Sequence, residues 1–179
     1  MLEPGKSMLI IIDVQDKLLR VMYEREALLR KLLQMVQGAR ELGLPIVWSE
    51  QYPEGMGATA PELADLLSGL HPIAKRTFSC CAHPPLLDAI RKPGRTQVLL
   101  VGIESHVCVY QTAIDLLARG FEVEVVADCV SSRSAENRQI GIDRIRQAGG
   151  RVTSVEMAIF EMLHAAEGPH FKPLLKIVK

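Results

Sequence analysis

The chain has 179 residues, 48% of them hydrophobic, which is the size of one folded unit with a full core and excludes an intrinsically disordered chain. Its 21 basic and 21 acidic side chains cancel, and only 4% of its residues are aromatic. A nucleic-acid partner is therefore not expected, since both the basic surplus and the stacking platforms are missing. No apolar run approaches the roughly 20 residues needed to cross a bilayer, the first residues carry no leader pattern, and the four cysteines include no C-x-x-C pair. The expectation is a cytoplasmic protein with reduced thiols, no membrane association and one domain over residues 1–179.

Apolar runs of strand length alternate with stretches of helical periodicity, the pattern of a parallel sheet with crossover helices. Met8 to Ile12 predicts the first strand. Leu28, Leu29, Leu32, Leu33, Val36 and Leu42 then recur mainly at three and four residues, opposite Arg30, Lys31, Gln34 and Glu41, and predict an amphipathic helix ended by Gly43. A strand at Pro45 to Trp48 leads into the Gly- and Pro-rich stretch Glu50 to Ala60, and a weak strand lies near Ile73, before the irregular stretch Ser79 to Pro85. Gln97 to Val101 suits a strand covered on both faces. A helix from about His106 to Arg119 follows, with Val107, Tyr110, Ile114, Leu117 and Ala118 expected to be buried and Gly120 at its end. Glu122 to Val126, Ala135 to Ala148 and Arg151 to Ser154 complete the series as strand, helix and strand. The fold class expected is α/β, in which loops at the carboxyl ends of the strands form the ligand crevice.

Three residues near strand ends carry potential chemistry. Asp13 directly follows the first strand, Lys75 follows Pro72-Ile73-Ala74, and Cys108 lies in the first predicted turn of a helix. A helix N-terminus favours a thiolate, so Cys108 has a physical reason to be reactive. Each also has a structural alternative: a turn carboxylate, a solvated lysine, a small buried hydrophobe. His71, His83, His106, His164 and His170 show no ligand spacing, so no metal site is expected. Asp13-Val14-Gln15-Asp16 stands where a dinucleotide fingerprint would have to be, and no phosphate loop is present.

Ile11-Ile12-Asp13-Val14-Gln15, Ala74-Lys75-x-x-Phe78-Ser79 and Gly102-Ile103-Glu104-Ser105-His106-Val107-Cys108-Val109 resemble the three motifs of the isochorismatase-like cysteine hydrolases. Ser49-Glu50-Gln51-Tyr52-Pro53-x-Gly55-x-Gly57, Ser131-Ser132-Arg133-Ser134 and the ending Pro169-His170-Phe171-Lys172 are most similar to the isochorismatase domain-containing proteins of uncertain substrate. The resemblance implies a three-layer α/β/α sandwich with a six-stranded parallel sheet of Rossmann-like topology. It also implies a triad in which Cys108 is the nucleophile, Asp13 the proton acceptor and later donor, and Lys75 the cation that holds the thiolate and orients the carboxylate. An adjacent ammonium and a helix terminus are expected to bring the thiol below about 7.

By the same resemblance the Ile103–Glu104 peptide is cis, and the amides of Glu104 and Cys108 form an oxyanion hole. The family more commonly has a small residue at 104 and threonine at 105. Glu104 either adds a carboxylate that favours a cationic or hydrogen-bond-donating substrate, or turns away into a structural salt bridge. Gln15, Trp48, Gln51 and Phe78 are candidate substrate-binding residues, with core packing the alternative for Trp48 and Phe78.

Family members that cleave the vinyl ether of isochorismate lack the cysteine, whereas the C–N hydrolases need it. The resemblance therefore implies hydrolysis of an amide or carbamoyl-type bond of a small molecule through a thioester. Gln51 stands where nicotinamidases carry part of an Asp-x-His metal motif, so neither metal nor cofactor is expected. A redox sensor built on Cys108 and a non-catalytic binding module are the alternatives from other classes. A homo-oligomer is expected from the family and from the apolar tail Phe171 to Val178, which needs cover either from a partner or from its own domain.

Overall fold

Along the first strand alternate side chains enter two different cores, as the two-residue period of an extended chain requires. Met8, Ile10 and Ile12 pack with Ile90, Leu116 and Ile145 on one side; Leu9 and Ile11 pack with Leu32, Met35, Ile159 and Leu174 on the other. Each fully buried aliphatic side chain of this kind contributes about 1.5–3 kcal/mol.

The computed structural model describes residues 1–179. In chain order the elements are β1 (Ser7–Ile12), α1 (Asp16–Leu19), α2 (Arg25–Glu41), β2 (Ile46–Gln51), α3 (Pro53–Met56), α4 (Pro61–Leu66), β3 (Ile73–Lys75), α5 (Pro84–Arg91), β4 (Gln97–Ile103), α6 (Tyr110–Leu117), β5 (Glu122–Ser131), α7 (Ala135–Gln147), β6 (Arg151–Thr153), α8 (Val155–Leu163) and α9 (Phe171–Val178). A short 3-10 turn covers Cys80–Ala82 and a π-helical turn covers Ser105–Val109. The six strands form one parallel sheet in the order β3-β2-β1-β4-β5-β6. Helices α2, α8 and α9 cover one face, and α5, α6 and α7 the other. The expected α/β class, the six parallel strands and the three layers are all present. No helix is long and apolar enough to cross a membrane.

The chain leaves β1 toward β2 and β3 on one side and returns to β4, β5 and β6 on the other. The carboxyl ends of β1 and β4 therefore flank a topological switch point, where an open α/β sheet opens a crevice. At this point β4 comes close to β1. A Cβ on Gly102, whose φ is +118°, would lie 2.1 Å from the Ile12 carbonyl oxygen, so only glycine fits.

Three expectations are corrected. The helix predicted from His106 begins as the π-helical turn, and α6 then buries Thr112, Ala113 and Leu116, with Leu117 and Ile114 only partly buried and Ala118 exposed. A π turn takes up an extra residue, which moves the following helix out of phase with a uniform 3.6-residue count. Strand β5 runs on to Ser131, because its pairing with β4 slips at Leu100/Gly102 and resumes at Gly102↔Val130 and Ile103↔Ser131. The apolar tail is α9, which packs on α2: Leu174 is fully buried, and Gln34 Nε2 donates to the Ile177 carbonyl at 2.8 Å. Its own fold supplies the cover, so the tail is no argument for association.

Candidate active site

Asp13 ends β1 with a left-handed φ of 54°, a conformation in which Asp is among the better-tolerated residues. The turn is held by Asp13 N–H donating to the Ser49 carbonyl and by Gln15 N–H donating to the Asp13 carbonyl. Lys75 ends β3, two strands away in the sheet, and its ammonium donates to Asp13 Oδ2 at 2.6 Å, to Gln51 Oε1 at 2.6 Å and to the Thr77 carbonyl at 3.2 Å. Both members of the pair are out of water, at 0% exposure for the Lys75 side chain and 1% for that of Asp13. Such a pair is tolerated because each remaining polar atom is matched: all three ammonium donors are used, and Asp13 Oδ1 accepts from Ser49 Oγ at 2.7 Å.

Cys108 sits in the π-helical turn after β4, beside this pair. Its turn is pinned from behind. Ser105 Oγ and His106 Nδ1 each lie within hydrogen-bond distance of Ser132 Oγ, at 2.8 and 2.9 Å. Helix α7 comes so close that a Cβ on Gly141 would lie 2.5 Å from the Ser105 carbonyl group. The Ile103–Glu104 peptide is cis. The Glu104 carbonyl accepts from Val107 and Val109 N–H, while its own N–H donates to no acceptor in the protein.

The expectation of a thiolate is corrected. Burial pushes the Cys108 thiol well above the usual thiol range, and the neighbouring Asp13 carboxylate pushes it further. Lys75, with its three N–H donors already committed, opposes this less strongly. These influences together favour the thiol over the thiolate. Cys80 lies close to the same group, its Sγ 3.7 Å from Ser49 Oγ, and burial raises its pKa too.

Asp13 and Cys108 line a pocket of about 170 Å³ together with Leu18, Gln51, Met56, Phe78, Ile103, Glu104 and Val107. Phe78 is 53% exposed at its mouth. Glu104 combines the two open readings: it lines the pocket, and its Oε2 accepts from both the backbone N–H and Nε of Arg133 at 3.1 Å.

Two candidates for substrate contact fall elsewhere. Trp48 belongs to the core under α2, because Val47, Ser49 and Gln51 take one face of β2 and Trp48 and Glu50 the other. Gln15 is fully buried: its Nε2 donates to the carbonyls of Gln51 and Gly57, and its Oε1 accepts from Gln51 N–H. It fastens the loop after β2 and offers nothing to a ligand. Sequence reasoning missed Ser49 as a partner of Asp13, although its two-residue spacing from Gln51 was a usable signal.

Two oxygen-bearing side chains at the end of β2 are engaged within the protein. Glu50 Oε1 accepts from Thr59 N–H and Oγ, and Gln51 bonds Lys75 and the Arg76 carbonyl. No three His, Cys, Asp or Glu side chains converge anywhere in the chain as a metal site would require.

The family model of the isochorismatase domain matches residues 7–157. The isochorismatase domain-containing protein 2 of Bos taurus is 42% identical over 177 residues, which cover 98% of this chain and 84% of that protein. Among solved structures, the MAR1 ribonuclease of Caenorhabditis elegans is similar with a TM-score of 0.92 and 38% identity, over 99% of this chain and 91% of that one. The YcaC protein of Escherichia coli, an octameric hydrolase of unknown specificity, is similar with a TM-score of 0.93 over 98% of this chain and 89% of its own. At 21% identity that likeness is one of fold alone.

Proposed function

The chain belongs to the isochorismatase family of hydrolases, whose domain model spans residues 7–157, and from that premise we propose that it cleaves a C–N bond of a small amide or carbamoyl compound, with Cys108 as nucleophile. One observation carries this reading: the Cys108 thiol lines a small pocket together with Asp13, a carboxylate that a buried lysine holds in place.

As Cys108 Sγ attacks the carbonyl carbon, its proton moves to Asp13, so the buried site never has to hold a free thiolate beside a carboxylate. The carbonyl oxygen becomes an oxyanion, met by the N–H groups of Glu104 and Cys108. Collapse breaks the C–N bond, Asp13 returns the proton to the leaving nitrogen, and an acyl thioester remains. Water then attacks the thioester, giving one proton to Asp13, which passes it to sulfur as the thiol departs. Lys75 keeps Asp13 oriented and makes up for its charge throughout. No step needs a cofactor or a Lewis acid.

Sensor thiols have low pKa values and are accessible; a Cys108 raised by burial does not suit that role. Vinyl-ether hydrolysis gives Cys108 no task. Phosphodiester cleavage, suggested by the likeness to MAR1 ribonuclease, fits poorly with a neutral chain and a pocket whose charged lining groups are carboxylates. A homo-oligomer is part of the proposal, supported by octameric YcaC; a single-chain mass in sedimentation at micromolar concentration would contradict it.

The test is ammonia or amine release from a panel of small amides and carbamoyl compounds, with wild type and Cys108→Ala compared after EDTA treatment. Turnover by wild type alone is expected. Equal rates from the two proteins, or activity that returns only with added metal, would overturn the reading.

A further inference from the structure

The charges around the pocket are arranged to disfavour one sign of ligand. Its ionisable lining residues are Asp13, Glu104 and Cys108, and no lysine, arginine or histidine is among them. Lys75 lies behind Asp13 with every donor used. Arg133 is 65% exposed and engages Glu104 only through Oε2, leaving Oε1 with no donor from the protein. Arg76 belongs to the adjoining groove, where it stacks over the Tyr52 ring at 4.1 Å. The rest of the pocket is apolar, mostly Leu18, Met56, Phe78, Ile103 and Val107.

Resting on the C–N hydrolase reading above, we propose that the substrate is an uncharged amide bearing a compact apolar substituent, and that Glu104 is the specificity residue that turns anionic amides away. A carboxylate in this pocket would lose its hydration without gaining a counterion, a cost that only pairing can offset. It would also face two carboxylates. An uncharged amide meets neither penalty, and its N–H has an acceptor in Glu104 Oε1. The volume of about 170 Å³ is close to the roughly 150 Å³ that admits benzene in an apolar cavity, so a single ring or a short branched chain fills it.

The preference is readable without turnover. Iodoacetamide and iodoacetate are small thiol reagents that differ mainly in one negative charge, and peptide mapping reports their rates at Cys108. The amide-to-acid rate ratio, divided by the same ratio for the uncharged thiol N-acetylcysteine amide, is expected to exceed about tenfold in the wild type. Glu104→Gln should lower it by about tenfold, because Arg133 then stands unpaired beside the pocket. Arg133→Gln should raise it, which keeps a test in hand should the Glu104 variant fail to fold. A wild-type ratio near one, a ratio unmoved by Glu104→Gln or a fall with Arg133→Gln would overturn the proposal. Selective labelling by a protein that hydrolyses no amide would remove the C–N reading while supporting the charge selection. Faster turnover of succinamate than of benzamide or isobutyramide would do the reverse.

Discussion

The Lys75 ammonium donates to Asp13 Oδ2 at 2.6 Å, with both side chains withdrawn from solvent. Removing one charge strands the other, so Asp13→Asn is predicted to cost about 3–5 kcal/mol of stability, as well as the roughly 10²–10⁴-fold in turnover typical of a lost general acid–base. The double variant Asp13→Asn/Lys75→Met should regain most of the stability and none of the activity. Urea midpoints and rates separate the two effects; retained turnover in Asp13→Asn would reject Asp13 as the proton carrier.

The thiols make a prediction about pH. Burial raises the pKa of Cys80, Cys81, Cys108 and Cys129, that of Cys81 to about 12. The folded chain then holds thiol protons that the unfolded chain releases near about 8.5. Stability from this source is complete below that pH and falls as pH rises through the folded values. The urea midpoint should therefore be lower at pH 9.5 than at pH 7.5. Alkylation of Cys108 by iodoacetamide should still be climbing at pH 9, and Asp13→Asn should shift that profile to lower pH by removing the neighbouring negative charge. A plateau below pH 8 in the wild type would contradict the raised thiol.

Trp48 and Phe78 separate packing from binding. Phe78 is exposed at the pocket mouth, whereas Trp48 is in the core. Phe78→Ala should raise KM with little change in the unfolding midpoint. Trp48→Ala should cost about 3–5 kcal/mol, as large aromatic truncations do. The opposite pattern would place Trp48 at the substrate.

Gly141 lies outside the pocket lining, yet a Cβ there would collide with the Ser105 backbone that leads into Cys108. Gly141→Ala should displace the nucleophile turn and lower kcat by up to about 10²-fold, the scale of a misplacement near 1 Å. Unchanged kcat would mean that α7 yields instead.

Most of this was legible where a residue's role depends on its place along one strand. Met8 to Ile12 and Gln97 to Val101 read directly as β1 and β4, and the glycine-punctuated alternation of runs pointed to a parallel sheet with crossover helices, the three layers coming with the family resemblance. The motif around Asp13, Lys75 and Cys108 marked three strand ends that converge. What escaped depends on geometry across the chain. The face of α6 could not be counted through a π-helical turn at Ser105–Val109. The tie of Gln15 to Gln51 and Gly57 joins segments up to 42 positions apart. The thiol's direction of shift was misread because Asp13, the residue meant to receive its proton, also raises it, and because burial outweighs a lysine whose donors are taken. Trp48 is different in kind: two-residue alternation along β2 already set it against Gln51.

The central claim is a covalent acyl intermediate on Cys108, and the most direct measurement is intact-mass and peptide-mass analysis of enzyme quenched with acid during turnover of an amide it hydrolyses. The predicted result is a mass increase equal to the acyl group, on the peptide containing Cys108, appearing in the first turnover and absent in Cys108→Ala. Full turnover with the wild-type protein unmodified throughout, or an acyl group carried by Cys80, Cys81 or Cys129, would contradict the account.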